Sequence, residues 1–136
     1  MSKAVLLCLG ALVLLVTGAV CMSCPNIAGT CVVVSNPAAP SWEGAAVIVT
    51  QTGCTGVINA SSGSETSLFS FTVSESNSAT VDANGTWLRQ YGPDGEMDID
   101  AIYAGWTGHV EPYGDGVSKF VMNNAYWTSI ANCTGT

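Results

Sequence analysis

The sequence predicts an all-β protein, an antiparallel up-and-down barrel of about eight strands, with a two-sheet sandwich as the alternative. Three observations carry this. Short β-branched or alternating runs recur along the chain, and turn residues separate them. Beyond the N-terminal segment no long stretch has the spacing of an amphipathic helix. A chain of 136 residues is one domain, long enough for a single hydrophobic core.

The first element is not part of that domain. Lys3 precedes the apolar run Ala4 to Val16, and Thr17-Gly18-Ala19 supplies small residues where a peptidase needs them, the order of a secretory signal. Residues 1–23 are therefore read as a signal peptide or lipoprotein signal and 24–136 as one all-β domain. Ala4 to Val20 also reaches the lower edge of a bilayer-spanning length, about 17–25 residues, so a retained helix is the competing reading. Small residues at its end, and no positive charge just after it, favour cleavage. The expected location is secreted or the cell envelope.

The strands follow in order. "TCVVVS" (Thr30 to Ser35) is β-branched and ends at the breaker "NPAAP". "AAVIVTQ" (Ala45 to Gln51) and "CTGVIN" (Cys54 to Asn59) flank Thr52-Gly53, which suits a tight hairpin. In "TSLFSFTVS" (Thr66 to Ser74), Phe69, Phe71 and Val73 share one face, the alternation of a half-buried strand. "SATVD" reads as a short strand ended by a turn at Ala83-Asn84-Gly85. "TWLRQY" and "EMDIDAIY" bracket the turn Gly92-Pro93-Asp94-Gly95. "VSKFVM" and "AYWTSIA" flank Asn123-Asn124; Val117, Phe120 and Val121 also carry some helical spacing.

Charge narrows the partners. Ten acids stand against three basic residues, a net charge of −7, and beyond residue 23 only Arg89 and Lys119 are basic. Nucleic acid, whose phosphates require a basic face, is excluded as an expected partner. Membrane contact is expected only through a lipid anchor or an uncleaved N-terminal helix.

Export implies bridged cysteines. Cys8 leaves with the signal, and Cys21, Cys24, Cys31, Cys54 and Cys133 remain. Acylation of Cys21 leaves four, enough for two bridges; acylation of Cys24 leaves three. Parity favours Cys21 for lipidation, and the small Ser23 favours Cys24. Cys24, Cys31, Cys54 and Cys133 are the disulfide candidates, and a bridge tying the last strand to an early one closes a loop of about a hundred residues, worth up to ~4–5 kcal/mol. With one histidine in the chain, a zinc site fits these cysteines poorly.

"NIAGTC" followed by "VIVTQTGCTG" resembles the opening of small exported bacterial lipocalin-like proteins, over about a quarter of the chain. In that family a Gly-x-Trp on the first strand plugs the barrel floor. Here Cys31 follows Gly29-Thr30, and Gly85-Thr86-Trp87 lies on a later strand. The resemblance implies a barrel with a central cavity and no particular ligand.

Chemistry is sparse. No nucleophile elbow, zinc-protease helix or phosphate loop is present, so no catalytic residue is assigned. His109, with Glu111 two residues on, is the only imidazole base available. Asp94, Glu96, Asp98 and Asp100 recur every second residue. As a solvated edge they discourage pairing with another chain; as a cluster they are the candidate calcium ligands, although same-face neighbours about 6.5–7 Å apart are wide for one ion. Trp106 and Tyr113, with His109 in the loop-rich "GWTGHVEPYGDG", are the candidate ligand-binding residues, placed to stack on a sugar or to cap a cavity mouth. The expected function is noncatalytic binding of a small apolar or amphipathic ligand. A surface domain for carbohydrate or protein, and a structural envelope component, are the alternatives.

Overall fold

The computed structural model describes residues 24–75, 80–96, 105–111 and 118–135. Its elements are β1 (Gly29–Ser35), a 3-10 turn (Pro40–Trp42), β2 (Ala46–Thr52), β3 (Thr55–Ser62), β4 (Glu65–Glu75), β5 (Val81–Gly92), β6 (Gly95–Glu96), β7 (Gly105–Val110), β8 (Ser118–Asn123) and β9 (Thr128–Gly135). Each strand pairs antiparallel with its neighbours, β1-β2-β3-β4-β5-β7-β8-β9, and β9 returns to β1. Eight strands thus close an up-and-down barrel, and the two-residue β6 hangs from the end of β5. Closure leaves the eight staves without a free edge.

Alternation decides what faces in. β1 buries Cys31 and Val33 and exposes Thr30, Val32 and Val34; β2 buries Val47 and Val49. β4 buries Ser67, Phe69, Phe71 and Val73 in strict step. Most outward positions are polar or charged, among them Asn59, Thr72, Asp82, His109, Lys119 and Asn132. Val32, Val34, Ile48 and Val57 stand exposed on β1 to β3.

Two register shifts bend the barrel. One lies between Val33 and Ser35 on β1 against β9, and the other lies on β5, where Leu68 of β4 faces Arg89 while Phe69 faces Trp87. The extra residue on β5 changes the phase of alternation, as a β-bulge does. Val81, Ala83 and Trp87 point inward at odd positions, and then Gln90 points inward at an even one.

The chain corrects two local expectations and bears out a third. Ala83-Asn84-Gly85 is not a turn but the middle of the twelve-residue β5. Gly105–Val110 is a strand and not a loop. Ser118–Asn123 is a strand despite its helical spacing, because Phe120 and Met122 alternate inward. Thr52-Gly53 does turn the β2–β3 hairpin, with Gly53 at φ 64°. Of "EMDIDAIY", residues 97–103 lie outside the described residues.

One end of the barrel is sealed. The lead-in before β1 is held there by the Gln51 side chain, whose Oε1 accepts from Ile27 N and whose Nε2 donates to Pro25 O, each at 2.9 Å. Ile27 is 0% exposed. The Cys24–Cys54 bridge fastens the same lead-in to the β2–β3 turn, and Cys31–Cys133 staples the first strand to the last. Both bridges draw on the four cysteines expected to pair.

Candidate functional site

The opposite end is hollow. A cavity of about 270 Å³ opens inside the barrel where the β1–β2, β3–β4 and β8–β9 connections gather. Toward the closed end its wall is Cys31, Val47, Ile58, Phe69 and Phe120; Ala60, Met122 and Ala131 line the sides. Toward the mouth stand Asn36, Ala39, Trp42, Ser67, Gln90, Trp127 and Ser129. Small side chains face this volume at Ala60, between Val47 and Ser67, and at Ala131, between Val33 and Phe120. Among the described residues, no ionisable side chain lines it.

Three rings form one wall. Phe69 stacks on Trp87 with centroids 5.8 Å apart, and the Trp127 ring stands edge-on to both, at 5.8 and 5.9 Å. These offset and T-shaped contacts are the arrangements that the ring quadrupoles favour. Trp87 brings its indole N–H into this cluster buried and, among the described residues, without a hydrogen-bond partner.

The mouth is built from the β1–β2 connection. Asn36 Oδ1 accepts from Ala39 N at 3.2 Å, Asn36 N donates to Glu43 Oε2 at 3.1 Å, and Ser62 Oγ donates to Ser41 O at 2.9 Å. These bonds hold the 3-10 turn so that Trp42 lies half-buried against the core. On the facing side, Asn124 Oδ1 accepts from Tyr126 N and Trp127 N, which sets Trp127 at the rim. A buried side-chain pair adds polar atoms inside: Ser67 Oγ donates to Gln90 Oε1 at 3.2 Å, both residues more than nine-tenths buried.

The residues singled out in the sequence fall elsewhere. Trp106 is not on a wet surface: it is 2% exposed, one inward step nearer the closed end than Trp87, and its Nε1 donates to Ser70 O at 2.9 Å. It lies beneath the cavity, its ring 6.1 Å from that of Phe120. His109 is exposed on the outer face of β7 opposite Asp82, away from the cavity. Tyr113, Asp98, Asp100 and Cys21 lie outside the described residues; so does the side chain of Glu96. Asp94 is exposed in the turn after β5. Among the described residues no three His, Cys, Asp or Glu side chains come together. Cys24 spends its sulfur on the bridge to Cys54, which leaves none for a thioether and removes it as a lipidation site.

The cavity's own residues were missed individually, although one signal was present. The Trp and Phe positions on alternating strands predict core aromatics, and nothing local says which layer of the core is left empty.

Fold and cavity together define a closed, disulfide-bridged β-barrel with an internal apolar chamber. Against known protein families and curated proteins the chain gives no match.

Proposed function

We propose that the protein is a noncatalytic binder of a small apolar or amphipathic molecule, lipocalin-like in architecture and exported. The observation that carries this is the apolar chamber itself. An apolar cavity of about 150 Å³ stays dry and takes up benzene, and the chamber here is larger, about 270 Å³. Folding leaves such a void only at a cost, because its lining forgoes dispersion contacts; an occupant restores them. The up-and-down meander supports the lipocalin-like reading. Trp106 on β7, together with Ile27, fills the floor that a first-strand Trp fills in that family. The two bridges support an oxidising destination outside the cytosol.

The test is calorimetric titration with isopropylbenzene, an uncharged probe with no hydrogen-bonding group. Saturable binding is expected, together with its loss in Ala60→Leu, which fills the chamber. Absence of binding to the folded wild type refutes the reading.

A further inference from the structure

The chamber is graded, and the grading says what its occupant looks like. Its deep wall is Ile58, Val47, Phe69 and Phe120; its polar spot, nearer the mouth, is the Ser67–Gln90 pair. We propose that the ligand is an uncharged amphipathic molecule that enters apolar end first and sets one hydroxyl group against Ser67, beside Gln90. This rests on the binding function proposed above and deepens it.

Three observations converge. First, Ser67 and Gln90 are 4% and 8% exposed, so this is a built-in polar group inside an apolar chamber and not a rim residue. Burying such groups is unfavourable unless they are hydrogen-bonded. A hydroxyl that donates keeps lone pairs with which to accept, so Ser67 can receive a ligand hydroxyl while it holds Gln90. Second, among the described residues none that lines the chamber is ionisable, so a carboxylate or ammonium drawn inside would meet no counter-charge from them, a far larger penalty than that of a neutral dipole. Third, the protein carries a net charge of −7 and the open end bears Glu43, Glu65 and Asp94, which adds repulsion against any anion approaching the mouth. The β5 bulge is what brings the pair together: without its extra residue, Gln90 would face solvent and not Ser67.

The experiment compares 1-phenylethanol, isopropylbenzene, benzoate and benzylammonium, matched in size, by calorimetric titration of wild type and Ser67→Ala. 1-Phenylethanol and isopropylbenzene are expected to bind wild type, and benzoate and benzylammonium are not. Ser67→Ala is expected to weaken 1-phenylethanol about tenfold while isopropylbenzene changes by less than about twofold. In wild type, the Gln90 side-chain amide resonances are expected to shift with 1-phenylethanol and to stay in place with isopropylbenzene, a readout independent of any variant's folding. A 1-phenylethanol-to-isopropylbenzene ratio unchanged in Ser67→Ala, or binding of either ion as tight as that of 1-phenylethanol, overturns this inference alone. If none of the four binds, the chamber-binding function falls and takes this inference with it.

Discussion

Two buried tryptophans do opposite things for stability. Trp106 lies opposite Gly85 on β5 and reaches beyond it, so that its indole N–H meets Ser70 O on β4. A Cβ at position 85 would collide with that same Ser70 carbonyl oxygen, which explains a glycine in mid-strand where the sequence suggested a turn. Trp106→Phe removes the donor, leaves a buried carbonyl short of a partner and opens a void, so a loss of about 3 kcal/mol is expected. Trp87→Phe keeps the ring against Phe69 and deletes an N–H that has no partner among the described residues. Its lost packing is offset by the removed unsatisfied donor, and the expected change is below about 1 kcal/mol. Urea unfolding of the two variants side by side checks the contrast; equal losses would mean that Trp87 finds a partner in solution. Gly85→Ala is expected to cost about 3 kcal/mol or more on the same assay, since the clash is with backbone and no side chain can swing away.

At the scale of elements, strands are legible wherever inward residues alternate without interruption. "TSLFSFTVS" shows its strand and its buried face directly, and β4 confirms both. Legibility fails where two backbones or a bulge intervene. Asn84-Gly85 resembles a turn, yet the glycine serves a close approach inside one strand. Gly105 to Val110 resembles a loop, because its glycines hide the alternation of Trp106 and Val110. The bulge on β5 cannot be seen locally, and it decides that Gln90 lines the cavity and Arg89 does not. The bridges were legible as a set of four cysteines; their pairing needed the fold. Cys31 and Cys133 lie directly opposite on β1 and β9, the strands that close the barrel, 102 residues apart. Cys24 and Cys54 are 30 apart and fasten a lead-in rather than a stave. In the chain-entropy model the first loop contributes about 5 kcal/mol and the second about 4. Cys31→Ala/Cys133→Ala is therefore expected to lose more than Cys24→Ala/Cys54→Ala. Guanidinium unfolding of both double variants, compared with wild type, measures the two losses; the reverse order would place the weak seam of the barrel at its closed end instead.

For the whole molecule, one end is tied shut and the other is left with a chamber, and under the proposed function stability and binding are coupled through that asymmetry. The sealed end holds Ile27, Val49, Phe71 and Trp106, with Gln51 and a disulfide securing the lead-in. The hollow end forgoes packing that an occupant would supply. A ligand that binds only the folded barrel stabilises it by mass action, about 2.7 kcal/mol when present at a hundred times its dissociation constant. For a domain of this size that corresponds to a rise of roughly 10 °C in the unfolding midpoint. Ala60→Leu separates the two contributions. It fills the chamber from within, so its ligand-free midpoint is expected at or above that of wild type, while added isopropylbenzene moves it no further. Thermal unfolding of wild type and variant, each with and without the probe and with the bridges oxidised, gives the four midpoints required. A variant that is destabilised yet still responds to the probe would locate the binding volume outside the barrel. A variant that is stabilised and unresponsive means that the chamber is both the place where the protein binds and the stability it gives up in order to bind.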